Sequence, residues 1–426
     1  MLITKIKQVF SNQFNRNVSW LGGGELVNRV FRLGTTVILA RLLTPHDYGL
    51  AAIVLTVKDF ALVFIAKSGI GSKLVQADEE DLEVLSNTAY WLNWIVSLFL
   101  FITQCLLAFP IAWFYNETQV VFPICFVALN YLLMPNYAIQ MALIERENRI
   151  KIIAIAATMQ AIVSNIGIMV MALFGLGMWA IITPGVVLSP FVWFFCAYRY
   201  HSWRPTQSFS LYRWREIVGF GTNVLGYQLL DKVRANLDYL LIGRFLGVDA
   251  LGVYFFAFNA GLGISLNVMN SFITALFPHL CAARGVYQKV KARYFSSLKT
   301  IASVFIPLIL LQSSLAPFYV PIIFGQKWVN AVPILVLICL SALPRPFASA
   351  ASMLLQAVDK ADINVKWSLI FTVFFAVALI VSMQWGIIAV AAAVLISHAV
   401  AMPLFTIWAT RFALRPNSVW FKSEVS

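Results

Sequence analysis

Twelve apolar stretches, each about the length of a membrane-spanning helix, follow one another along the chain. They fall at roughly 18–40, 47–67, 86–109, 119–141, 151–173, 177–198, 218–243, 250–274, 298–320, 331–353, 367–384 and 386–409. Hydrocarbon offers no water to the backbone, so every amide and carbonyl must be satisfied within the fold. Runs of this length meet that demand as α-helices, because barrel strands are about half as long. The pattern predicts an all-α polytopic membrane protein. Only 12% of residues are charged and 61% are hydrophobic, where a soluble domain carries about 25% charge. Pro184, Pro190 and Pro307 interrupt the runs, as helices packed against other helices tolerate.

Several runs contain residues that lipid would reject. Within Trp20–Leu50, Glu25, Arg29 and Arg32 recur at i, i+4 and i+7 and share one helix face. Asn223–Val253 repeats the stretch 203 residues later without gaps: Gly23 falls on Gly226, Val30 on Val233, Arg41 on Arg244 and Gly49 on Gly252. Polar character recurs with it, Glu25 over Gln228, Asn28 over Asp231 and Arg29 over Lys232. Two halves that each open with a polar-faced span are the mark of a transporter built from internal repeats.

Loop charge sets an orientation. The amino terminus, 67–85, 144–151, 199–217, 279–299, 357–366 and the carboxyl tail hold 22 Lys and Arg, and the opposite loops hold 3. This asymmetry predicts both termini in the cytoplasm. It also accounts for the net charge of +13 without a nucleic-acid partner. The expected organisation is an amphipathic amino terminus (1–17), a first lobe of six helices (18–198), a basic-aromatic linker (199–217), a second lobe of six (218–410) and a cytoplasmic tail (411–426). Six is even, so the lobes share an orientation and are related by a pseudo-twofold along the membrane normal. The acidic run Asp78–Glu83 reads as a solvated loop. Trp91, Trp94, Trp113, Trp179, Trp203, Trp214, Trp328 and Trp385 lie near span ends and are expected in an interfacial belt.

Ten ionisable residues lie inside spans: Glu25, Arg29, Arg32, Lys58, Asp59, Asp231, Lys232, Arg234, Asp238 and Arg345. Each would cost roughly 2.5–3.5 kcal/mol facing lipid at mid-depth. Their sum exceeds a folding stability of about 5–15 kcal/mol, so most must pair or face a hydrated cavity. One reading is internal pairing, with Glu25–Arg29 and Asp231–Arg234 at suitable spacings. The other is a cavity between the halves with a cationic floor. Arg29, Arg32, Lys232 and Arg234 would there bind a phosphate or pyrophosphate. Glu25 and Asp238 would exchange H⁺ or Na⁺, and Lys58, Asp59, Asp231 and Arg345 would line the cavity secondarily. No HExxH, GxSxG, Walker A or Rossmann motif is present. The five cysteines and four histidines show no metal-ligand spacing. The expectation is a transporter without catalytic residues, metal or cofactor, driven by a gradient.

Leu39–Leu50 (LARLLTPHDYGL), Lys67–Gln76 and Ser86–Asn93 resemble the amino-terminal half of the Wzx-type polysaccharide flippases. These belong to the exporter superfamily that also contains the multidrug MATE antiporters. Asn236–Arg244, Leu251–Tyr254 and Phe277–Leu280 are similar to the second half. The resemblance implies a MATE-like two-lobed fold with alternating access in a bacterial inner membrane. It implies an isoprenoid-pyrophosphate-linked oligosaccharide as substrate, with membrane lipids, glycan polymerase and glycosyltransferases as partners. Many relatives have fourteen helices where twelve are expected here, and His46 precedes Asp47 in the TPxDYG turn. Alternatives are a small-molecule or cation antiporter, and a non-transporting component or enzyme of glycan assembly.

Overall fold

The structure, a computed structural model, describes residues 13–66, 70–205, 209–283 and 286–415. Most of the expected amphipathic amino terminus and most of the tail lie outside the described residues. All regular structure among the described residues is helical. The fold comprises two compact units, Met1–Lys232 and Val233–Ser426.

The first unit contains α1 (Gln13–Leu42), α2 (Pro45–Ala66), α3 (Ile70–Gln76), α4 (Leu82–Tyr115), α5 (Val121–Leu133), α6 (Pro135–Arg146), α7 (Ile150–Leu173) and α8 (Met178–Tyr200). It ends within α9 (Trp214–Phe245). α1 runs along α7, α7 along α8, and α4 along α5. Gly24 lets α1 close on α7, since a Cβ there would collide with the Thr158 side chain. Small residues at such crossings bring helix backbones together where the hydrophobic effect offers no drive. Buried polar bonds add specificity. Tyr131 donates to Gln104 Oε1 at 2.7 Å, and Gln104 Nε2 donates to the Ile124 carbonyl at 2.8 Å, tying α4 to α5.

The second unit holds the rest of α9 with α10 (Val248–Cys281), α11 (Tyr287–Tyr319), α12 (Val332–Ser341), α13 (Arg345–Ala357), α14 (Ala361–Ser382) and α15 (Ile387–Ala413). α15 packs against α12, α13 and α14, and α10 against α12 and α13.

Eight helical segments among the described residues are long and apolar enough to cross a membrane, or nine with the bent pair that includes α5 and α6. The twelve expected spans differ from this at α1, α9 and α10. These helices have 30, 32 and 34 residues, ample to cross at 1.5 Å per residue. α1 and α9 carry seven of the ten intramembrane charges, and the short apolar part of α10 among the described residues is Val248–Gly263.

One span gains a bend, and two further expectations change. The fourth span bends by 49° at the break before Pro135, whose ring cannot continue the helix hydrogen-bond ladder. α6 then runs on to Arg146, placed by sequence in a loop. Arg146 Nη1 donates to the carbonyls of Leu74 (3.1 Å), Val75 (3.3 Å) and Ala77, a cation on the C-terminal end of α3. Trp328 is not in an interfacial belt. It is fully buried and stacks on Phe256 at 3.9 Å, whereas Trp113 and Trp385 are largely exposed.

The described part of 199–217 is fastened to the first unit rather than slack. Trp203, Leu211 and Ile217 pack with Leu74, Leu85 and Leu143. Thr88 Oγ1 donates to the Tyr212 carbonyl at 2.7 Å. Arg213 bridges Asp81 at 2.6 Å and Glu216 at 2.5 Å, so the acidic run is partly engaged. The Arg213 guanidinium holds the Glu216 carboxyl below its ordinary range.

Candidate functional site

The family-like turn between α1 and α2 is built first. Thr44 caps α2 with Pro45 in its first turn. Asp47 Oδ2 accepts from Thr44 N at 3.0 Å and Thr44 Oγ1 at 2.7 Å. Thr44 Oγ1 accepts from Asp47 N at 3.2 Å in return, a reciprocal capping arrangement. The second carboxylate oxygen, Oδ1, accepts the amide of Met178 at 3.2 Å, the first residue of α8. One carboxylate thus ties two helix N-termini, where negative charge is favoured. Gly177 makes the approach possible. Its φ is +52°, and a Cβ would stand 2.5 Å from Asp47 Oδ1.

The charges of α1 lie on one stripe, as their spacing requires. Gly24 and buried Thr35 occupy the packed side, and Val27, Val30 and Leu33 are exposed beyond the charges. Glu25 and Arg29 form an ion pair at 3.2 Å with both side chains partly open. Arg32 is exposed and has no ion-pair partner among the described residues. On α2, Asp59 Oδ2 receives Lys232 Nζ of α9 at 2.7 Å. Lys58 is half-buried, with its ammonium beside Gly185 of α8. The first unit therefore joins two pairs, Glu25–Arg29 and Asp59–Lys232.

Asp231, half-buried on α9, also belongs to the first unit. The second unit holds the remaining candidates, where Arg234 Nη1 donates to Ser368 Oγ on α14 at 2.8 Å. Asp238 is buried. Its Oδ1 accepts the Tyr239 amide at 3.0 Å and its Oδ2 accepts the Tyr254 hydroxyl at 2.7 Å. Arg345 opens α13 in the same neighbourhood, near Asp238, Tyr239, Tyr254 and Arg234. Its Nε is buried without a hydrogen-bond partner. His398 lies near Arg345 and Arg234. Its Nδ1 is 2.7 Å from the Val394 carbonyl, and its ring meets the edges of Phe371 and Phe375 at 5.6 and 5.4 Å.

Chemically, this is a mixed-charge interior: Arg345 lies near the Asp238 carboxylate and the Arg234 guanidinium, with hydroxyls and an imidazole around them. Tyr254, Ser368 and His398 escape sequence reasoning, because their partners lie 16 to 134 residues away or on other helices. Among the described residues no three or more His, Cys, Asp or Glu side chains are grouped as metal ligands.

Residues 38–333 match the family described as "Polysaccharide biosynthesis protein". The chain is 27% identical over 365 residues to the teichuronic acid biosynthesis protein TuaB of Bacillus subtilis (strain 168), covering 83% of this chain and 74% of that one. It is 25% identical over 352 residues to the lipopolysaccharide biosynthesis protein WzxC of Escherichia coli (strain K12), covering 82% and 70%. Among solved structures, the lipid II flippase MurJ in an inward closed conformation aligns with TM-score 0.72 over 92% of this chain and 87% of that one, at 13% identity. An inward-facing multidrug resistance MATE family transporter aligns with TM-score 0.65 over 92% and 96%, at 14% identity. At these identities the structures establish the fold, which is MATE-like, and nothing about cargo.

Proposed function

The chain belongs to the polysaccharide biosynthesis protein family, and from that premise we propose that it is an alternating-access flippase for an isoprenoid-pyrophosphate-linked oligosaccharide. The carrying observation is the family match across 38–333, on a multi-pass bundle with the fold of MurJ. In this reading the lipid-linked sugar passes from the cytoplasmic to the outer leaflet of a bacterial inner membrane, with both chain termini in the cytoplasm. No catalytic step is required. Polymerase and glycosyltransferases are its partners in glycan assembly.

Arg29, Arg32, Lys232 and Arg234 are the proposed pyrophosphate ligands. Arginine supplies a planar two-pronged donor and lysine a point charge. Arg32 is available as it stands, while Arg29 and Lys232 must exchange Glu25 and Asp59 for the anion. Such an exchange gives binding a competing resting state, which alternating access needs. Glu25 and Asp238 are the proposed sites for coupling H⁺ or Na⁺. Protonating Asp238 would remove a negative charge near Arg345, strengthening its pull on an anion. Lys58, Asp59, Asp231 and Arg345 set the local field.

Export in a strain lacking the gene tests the reading. The deletion is expected to lose surface glycan and accumulate the lipid-linked intermediate, and the wild-type gene to restore export. Arg29→Ala and Lys232→Ala, present in the membrane at normal levels, are expected to fail. Asp59→Asn separates the two roles of Lys232. If Lys232 acts only as a structural partner, Asp59→Asn fails equally; if it binds cargo, Asp59→Asn retains export. Full export by both cation variants contradicts the assignment.

A further inference from the structure

The contact between α4 and the bent α5–α6 pair is polar where a helix contact in a membrane is expected to be dry. Ser86, Asn93, Ser97 and Gln104 follow one another on α4 at spacings of seven, four and seven, which puts them on one helix face. Gln104 is satisfied on α5, by the Tyr131 hydroxyl and the Ile124 carbonyl. Nearer the start of α4, Val96 and Met134 pack on one apolar cluster, and Ala89 and Leu92 pack with Ile139 and Ala142. The stripe therefore runs along α5, past the 49° bend and onto α6.

Four oxygens along this seam have no hydrogen-bond partner: Ser86 Oγ, Asn93 Oδ1, Ser97 Oγ and, from α6, Gln140 Oε1. Their residues are 0%, 4%, 0% and 2% exposed. Gln140 is held beside the stripe, since its Nε2 donates at 3.5 Å to the carbonyl of Trp203, whose ring meets Tyr90 of α4 at 6.1 Å. A buried polar atom without a partner loses its hydration and gains nothing. Four along one contact would take a sizeable share of a fold's stability. The bend adds to the demand. Pro135 brings no N–H for the Tyr131 carbonyl, and Asn136 turns its amide back to the Leu132 and Leu133 carbonyls at 3.4 and 3.2 Å. Asn87 Oδ1 and Trp91 Nε1 are also unpartnered, but they share a different face of α4, where Trp91 meets Phe209.

The seam lacks donors. Two of the four atoms are amide carbonyl oxygens and two are hydroxyls, and all accept hydrogen bonds. None is a carboxylate, and the Asp59 carboxylate, which lies near Tyr131, is held by Lys232. A bare cation would keep its charge uncompensated there, whereas buried water makes two to four hydrogen bonds and carries no charge. We propose that the seam is an internal hydration site, where a row of bound water molecules donates to Ser86, Asn93, Ser97 and Gln140. Water at this place also lets the α5–α6 bend change angle, because helix bonds that open at Pro135 are replaced by bonds to water. The site uses none of the residues proposed to bind cargo, so its test does not depend on the transport reading.

X-ray hydroxyl-radical footprinting of the full chain in lipid nanodiscs tests it, because radiolysis of a bound water marks side chains that bulk water cannot reach. Ile139 and Ile124 are 1% and 0% exposed and chemically identical. Ile139, beside Gln140, should be labelled, and Ile124, beside the satisfied Gln104, should not. Asn93→Leu with Gln140→Leu should abolish labelling of Ile139, and Asn93→Leu alone, the milder change, should reduce it. Labelling should be the same in sodium chloride and in choline chloride. An unlabelled Ile139 in wild type overturns the proposal, as does equal labelling of the two isoleucines or labelling that the double variant retains. Labelling that changes when choline replaces sodium would mark a bound ion in place of water, and overturns it as well.

Discussion

Asp238 shows how a single carboxylate in a membrane helix is made tolerable. It accepts one backbone amide and one tyrosine hydroxyl, and a guanidinium stands nearby. Removing one partner of a buried charge pair costs more than the pair itself contributes, about 3–5 kcal/mol. Asp238→Ala is therefore expected to lower the thermal midpoint of the purified protein by an amount equivalent to about 3 kcal/mol or more, because Arg345 loses its counter-charge and Tyr254 its acceptor. Asp238→Ala with Arg345→Met should recover part of that loss. A double variant no more stable than Asp238→Ala would show that the two charges are not coupled. The adjacent pair Glu25–Arg29 was legible from its i, i+4 spacing. Asp59–Lys232 was not, because 173 residues separate the partners and periodicity carries no information about which helices meet.

At the scale of elements, the helices follow from apolar length, and their ends from local chemistry. The TPxDYG turn reads as a helix start from its Thr, Pro and Asp. Its second role, holding the amide that begins α8, is visible only when Asp47 and Gly177 are brought together. Gly177→Ala is expected to destabilise the fold by about 1–2 kcal/mol, since alanine is strained at that φ and its Cβ would meet the Asp47 carboxylate. Asp47→Ala should cost a similar amount through the lost cap. The two losses should not add, because both break the same link; additive shifts in thermal midpoint would place Gly177 and Asp47 in separate roles. The bend at Pro135 was hidden because an apolar run looks continuous whether or not its helix is. Trp328 was misread for a related reason: a tryptophan beside a loop suits an interface and a core equally, and only the Phe256 ring across from it decides.

For the whole molecule, hydropathy and loop charge sufficed to identify a multi-pass helical bundle, and the polar-faced repeat pointed to the transporter class. Which intramembrane residues carry charge is legible in the sequence; how they are arranged is not. Among the ten intramembrane charges, Arg29 and Lys232 are paired with Glu25 and Asp59, and Arg234 donates to Ser368. If these partnerships are resting contacts that cargo displaces, the cations can serve both stability and transport. Translocation by the purified chain in proteoliposomes measures this most directly, using a fluorescent isoprenoid-pyrophosphate-linked oligosaccharide and a membrane-impermeant quencher. The account predicts exchange between leaflets well above protein-free vesicles, and its loss in Arg29→Ala with Arg32→Ala. Exchange no faster than in empty vesicles, or exchange that both substitutions leave unchanged, would contradict it.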